Sequence, residues 1–305
     1  MASDRELKQR IRSVKSIGQI TNAMKMVASS QIRKVESQAI EGRPYADKLR
    51  QVIGELSQQI QDSKHPLLES REVKNIGVIV VGADNGLCGG YNSSLNKIAL
   101  KTLSELPFRP AKLICLGGKA ARGVVRGGYK PNKTYLKWEA GFDLAAELSE
   151  MITKWFLEGE VDEVWGVYTE AVSTLVCKPT KQLLLPMAAL NSQEKSSEKK
   201  GSNQKADLSK NETAKSSSFA DYTFEPDCNS ALEKVVPMYL RAIVSQMLFE
   251  SKTSEFGSRL RAMTNATENA DKLASELTLK YYRVRQNNIT TEIIEISSGA
   301  EALNS

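Results

Sequence analysis

Two stretches, one at each end of the chain, carry apolar residues at steps of three and four for far longer than a globular core can use. Between Asp4 and about Ile60 they fall at Leu7, Ile11, Val14, Ile17, Ile20, Met24 and Val27, then at Ile32, Val35 and Ala39. That is the pattern of one helix face. A helix of about 55 residues would be about 80 Å long at ~1.5 Å per residue, several times the average length. From Asn229 to about Gly299 the spacing returns through Leu232, Val236, Tyr239, Ile243 and Met247, then Phe256, Leu260, Met263, Ala270, Leu273, Leu277 and Val284. Neither helix can hide its own stripe, and the economical solution is an antiparallel coiled coil of the two chain ends. Pro44, with Gly42 before it, is expected to bend or break the first helix, and His65-Pro66 marks its exit. Pro237 falls in the first turns of the second helix, where a proline costs least.

Between these ends the texture changes to short β-branched runs alternating with helical windows and glycine turns. The candidate strands are Asn75–Val81, Ala111–Leu116, Lys133–Lys137, Val161–Thr169 and Ser173–Leu185. The candidate helices are Ser93–Leu106, Lys119–Val125 and Leu144–Leu157. Alternation of this kind predicts a Rossmann-like α/β domain. Asn191–Ser218 holds eight serines and six lysines and almost no large apolar residue, so it reads as a flexible loop. Asp221–Glu225 reads as a short edge strand closing the domain. The expected organisation is therefore α/β plus all-α: residues 1–64 a shaft helix, 74–190 the α/β domain, 191–218 an insertion, 219–226 a closing edge strand and 227–300 the second shaft helix.

Charge and composition narrow the function. With 41% hydrophobic and 26% charged residues, the chain sits among soluble proteins, and no apolar run approaches the ~20 residues of a spanning helix. Asp4, Arg5 and Glu6 interrupt the N-terminus where a secretory signal would need its apolar stretch. The four cysteines are scattered and only one histidine, His65, is present, so no metal site is expected. A reduced cytosolic setting follows. From Lys8 to Lys34 there are seven basic residues and no acidic one, which a nucleic acid, an anionic membrane surface or an acidic protein surface would each answer. A helical nucleic-acid-binding protein is the alternative reading, but Ile11, Val14, Ile17 and Ile20 interleave the charges and leave no face that reads bases.

Enzyme chemistry finds little support. Gly82–Gly90 follows a predicted strand and precedes a helix, where phosphate loops sit. It has neither the G-x-G-x-x-G nor the G-x-x-x-x-G-K-[ST] spacing, and Gly117-Gly118-Lys119 lacks the upstream glycine and the following hydroxyl. No G-x-S-x-G elbow occurs, and Asp162 and Glu163, neighbours in a strand, point to opposite faces. No catalytic constellation and no cofactor site is expected, and the α/β domain reads as a scaffold.

Four segments are recognisable: IRSVKSIGQITNAMKMVASSQIRK (Ile11–Lys34), GADNGLCGGYN (Gly82–Asn92), SRLRAMTNATENA (Ser258–Ala270) and YYRVRQNNITTEIIEISSGAEAL (Tyr281–Leu303). In this order they resemble the gamma subunit of F-type ATP synthases over nearly the whole chain. The resemblance implies a rotating shaft whose paired helices enter a hexamer of alpha and beta subunits. The α/β domain would meet the epsilon subunit and the membrane-embedded ring of c subunits. Met24 and Lys25 would pass the acidic lever segment of beta, and Arg285 and Gln286 would be caught by a beta loop, with Thr290 and Glu292 one turn further on. Tyr222 and Glu225 of DYTFEPD would lie near epsilon and the ring. The complex would hold the chain at the cytoplasmic face of a bacterial membrane. No cysteine lies between Cys177 and Cys228, so the thiol pair of the chloroplast form has no counterpart.

Overall fold

The run Ile76–Val81 is buried at every position, as a strand covered on both faces must be, and this places it mid-sheet. The computed structural model describes residues 4–59, 65–69, 71–172, 176–187 and 228–303. In chain order the elements are α1 (Asp4–Gln59), β1 (Ile76–Val81), α2 (Tyr91–Glu105), β2 (Lys112–Leu116), α3 (Gly118–Arg126), β3 (Lys133–Tyr135), α4 (Phe142–Leu157), β4 (Glu163–Ala171), β5 (Cys177–Leu185) and α5 (Cys228–Leu303). The sheet order is β3-β2-β1-β4-β5. The first four strands are parallel, pairing Val80 with Cys115 and Val78 with Trp165, while β5 runs antiparallel on the edge of β4.

Because side chains alternate along a strand, β1 feeds two cores. Ile79 and Val81, with Ile114 and Leu116 of β2, pack under Leu148, Ile152 and Phe156 of α4 and under Leu240, Val244 and Leu248 of α5. Ile76, Val78 and Val80 pack on the other side with Leu95, Ala99 and Leu103 of α2 and Ala120 and Val124 of α3. The result is a helix–sheet–helix sandwich of the expected Rossmann-like kind. One turn depends on glycine: Gly117 has φ 93°, and a Cβ there would collide with the backbone of Gly82 and Ala83. β3 stops at Tyr135, short of the expected Lys137, because Lys137 is left-handed at φ 51° and cannot continue an extended strand.

The chain divides into two compact units. One holds Met1–Gln31, Leu87–Gly89 and Phe256–Ser305, the other Ile32–Gly86 and Gly90–Glu255. In the first, α1 and α5 pair antiparallel, with Leu7, Ile11 and Val14 against Ala270, Ala274, Leu277, Tyr281 and Val284. Of the bend or break expected at Pro44, the break is absent, since α1 is one helix of 56 residues that includes it. Pro44 is exposed, so water can satisfy the carbonyl that its missing N–H leaves free. Pro237 lies ten residues into the 76-residue α5, deeper than the first turns. The expected insertion at 191–218 and closing strand at 219–226 lie outside the described residues.

Candidate partner-binding surface

Open α/β sheets bind ligands at the carboxyl ends of the strands where the winding direction reverses. Here that point lies between β1 and β4, and α5 occupies it. Ser251 Oγ donates to the Val81 carbonyl at 3.1 Å and Ser254 Oγ to the Thr169 carbonyl at 3.0 Å. Gly166 of β4 lets the helix in, since a Cβ there would stand 2.7 Å from Met247 Sδ. Asp84, in the glycine segment after β1, spends a carboxylate oxygen on the Gly118 N–H at the start of α3, 3.0 Å away. The glycine segment therefore braces a turn. Nor does Cys115 offer reactive chemistry, because burial pushes its thiol up to about 12.

The candidate surface is on the paired helices. Leu7, Val14, Gly18 and Ala28 are buried, with Ile11, Thr21 and Lys25 half-buried, and steps of four and three join them in the heptad pattern of a coiled coil. On α5 the matching row is Met263, Thr267, Ala270, Ala274, Leu277, Tyr281 and Val284, all buried or half-buried. Small side chains bring the two helices close. Thr21 Oγ1 lies 2.9 Å from Thr267 Oγ1, and a Cβ on Gly18 would stand 3.4 Å from that of Ala270.

This seam corrects the expected one. Ile17 is 54% exposed, Ile20 and Val27 are exposed too, and Leu273 on α5 is 40% exposed with Ala274 beside it buried. Ranking residues by hydrophobicity selected the larger neighbours. The signal that was available is the regular spacing of Gly18, Thr21, Ala28, Thr267, Ala270 and Ala274. Ile17, Ile20, Met24 and Val27 form a second apolar stripe at steps of three and four, with Lys8, Arg10, Arg12 and Lys15 exposed on the same helix.

Met24 and Lys25 are half-buried, with Met24 on that second stripe. Arg285, Gln286, Thr290 and Glu292 are all exposed, within about two turns of one another on α5. Thr290 Oγ1 donates to the Gln286 carbonyl at 2.9 Å, so its hydroxyl hydrogen is already engaged. Every residue from 285 to 300 is exposed, including Ile289, Ile293, Ile294 and Ile296. Tyr222 and Glu225 lie outside the described residues. No described helix is long and apolar enough to cross a membrane.

Known proteins resemble the chain from end to end. The family model described as ATP synthase matches residues 3–303. The ATP synthase gamma chain of Heliobacterium modesticaldum is 38% identical over 306 residues, covering 99% of this chain and 100% of the relative. That of Chlorobium phaeobacteroides is 37% identical over 99% of each. Among solved structures, a chain of the Euglena gracilis mitochondrial ATP synthase rotor superposes with TM-score 0.62 at 18% identity, covering 94% of this chain and 98% of that one. A chain from the Tetrahymena thermophila central stalk and c-ring gives 0.57 at 22% identity, covering 81% and 99%. These last two carry the fold and the relatives carry the family: the chain belongs to the gamma-chain family of ATP synthase.

Proposed function

We propose that this chain is the turning central stalk of an F-type ATP synthase. It couples ion flow through the membrane ring to ATP synthesis or hydrolysis at the beta subunits, and it is not itself catalytic. Its paired helices contact the hexamer of alpha and beta subunits. Its α/β unit contacts the epsilon subunit and the ring of c subunits, which hold it peripherally at the cytoplasmic face of a bacterial cell membrane.

The observation that carries this reading is the stretch 285–300, helical, exposed at every residue and bearing four isoleucines. Most helical stability in proteins comes from packing of an apolar face, and Ile289, Ile293 and Ile296 recur at steps of four and three on this end of the 76-residue α5 while staying exposed. An apolar sleeve around the stretch supplies what the chain itself does not. Beside it Arg285 offers five donors in a rigid fork suited to a carboxylate on a beta loop. Gln286 joins that contact, with Thr290 and Glu292 one turn on, and Met24 and Lys25 meet the acidic lever segment of beta. Tyr222 and Glu225 are assigned to epsilon and the ring on the motif alone.

Identical beta subunits differ in nucleotide affinity only if something asymmetric biases them. A single shaft presents a different face to each, and turning it exchanges the faces. Switching a site almost completely takes about 5.5 kcal/mol of differential interaction, whereas one exposed ion pair supplies ~0–1 kcal/mol. Steric contact along the stripe Ile17–Val27 and the isoleucines of α5 must therefore carry most of the bias, with the basic residues tuning it.

The test is assembly and turnover. The chain should co-purify with alpha and beta subunits of its own organism. Salt-sensitive capture of nucleic acid, without those subunits, would support the alternative. Arg285→Ala should leave the complex assembled and slow turnover by roughly fivefold, the rate equivalent of about 1 kcal/mol lost from an exposed contact. Unchanged hydrolysis and synthesis would remove Arg285 from the contact.

A further inference from the structure

We infer that the buried polar cluster of Tyr91, Ser251 and Ser254 fixes the register of α5 on the sheet and is the joint through which turning force passes between helix and α/β unit. This rests on the stalk reading above. All three residues belong to the α/β unit, and α5 leaves that unit immediately after Glu255.

The composition of this stretch is costly unless it serves something. Glu250, Ser251, Thr253, Ser254 and Glu255 are all buried, in a segment whose neighbours Val244, Met247 and Leu248 pack as apolar core. Buried polar groups cost stability unless hydrogen-bonded; Thr253 bonds back within the helix to the Phe249 carbonyl, whereas Ser251 and Ser254 bond across from helix to sheet. Ser251 Oγ donates to the Val81 carbonyl, 3.1 Å away, and the Tyr91 hydroxyl lies 2.7 Å from Ser251 Oγ and donates to the Ser251 carbonyl at 3.2 Å. Ser254 Oγ reaches the Thr169 carbonyl at 3.0 Å. The same turns hold a nearly buried ion pair, Lys252–Glu255 at 2.9 Å. The Lys252 ammonium stands 4.3 Å from the centre of the Trp138 ring, and the Trp138 indole donates to the Gly82 carbonyl at 2.9 Å.

Apolar attraction is non-directional. It holds α5 on the sheet without opposing a small roll about the helix axis as steeply as hydrogen bonds do, which weaken sharply once bent. Val81 is the last residue of β1 and Thr169 lies near the end of the neighbouring β4, so Ser251 and Ser254 pin the helix at two separated points. A roll in either direction strains both.

The test uses the assembled complex, hexamer fixed to a surface and a bead on an added cysteine in place of exposed Arg109, reading torsional stiffness from angular fluctuations during pauses. Ser254→Ala and Ser251→Ala should lower the stiffness by about twofold or more while unloaded ATP hydrolysis stays nearly constant. Val244→Ala removes buried packing on the same helix. It should lower the melting temperature of the subunit and leave the stiffness at the parent value. Should a serine variant fail to assemble, Tyr91→Phe, which loses one hydroxyl, decides in its place. Parent stiffness in the hydroxyl variants, or equal softening by Val244→Ala, overturns the inference. A parent complex that hydrolyses ATP without turning the bead overturns the stalk reading instead.

Discussion

At Gly18 any side chain would press on Ala270, whereas at Ile17, one position earlier, the side chain stands mostly in solvent. Adjacent residues on one helix thus have opposite tasks, and substitution separates them. Leu7→Asp puts a carboxylate into the apolar seam cluster that also holds Leu277 and Tyr281. It should cost the isolated chain about 2–4 kcal/mol through lost burial and desolvation. Ile17→Asp should change the stability of the isolated chain by less than about 0.5 kcal/mol, as exposed positions do, but weaken binding to alpha and beta subunits. Thermal melting and co-purification read the two effects. Equal destabilisation by both substitutions would place Ile17 in the seam after all.

Among the elements, the turn between β2 and α3 is the least tolerant. Gly117 combines a positive φ with contact against the backbone of Gly82 and Ala83, so Gly117→Ala should destabilise the α/β unit by about 2–3 kcal/mol, read as a lower melting temperature. A neutral outcome would mean that the turn adopts another conformation. The strands and helices of this unit were legible in the sequence because period and punctuation agreed: Val78–Val81 is a solid apolar run bounded by Gly77 and Gly82. What was not legible depends on distance between elements. The seam was drawn through Ile17, Ile20 and Leu273 because hydrophobicity marks what prefers burial but not how closely two backbones approach, which Gly18, Thr21, Thr267 and Ala270 decide. Ser251 and Ser254 gave no signal either, since a serine in a helix is ordinary until its carbonyl partner is known. The helix runs on through Pro44 without a break because a proline facing water leaves a carbonyl that solvent can satisfy.

For the whole molecule, the fold and the proposed activity meet in one arrangement. An α/β sandwich of a ligand-binding type has its crevice occupied by its own C-terminal helix, and that same helix continues to Leu303, exposed at every residue from 285 to 300. Its final turns and the stripe Ile17–Val27 leave large apolar side chains exposed, as a shaft turning against neighbouring subunits requires. The most direct measurement is rotation itself: alpha and beta subunits assembled on this chain and fixed to a surface, with a bead attached to its α/β unit, and ATP added. The account predicts that the bead turns in one direction with one pause for each beta subunit. Sustained ATP hydrolysis with the bead stationary would contradict it.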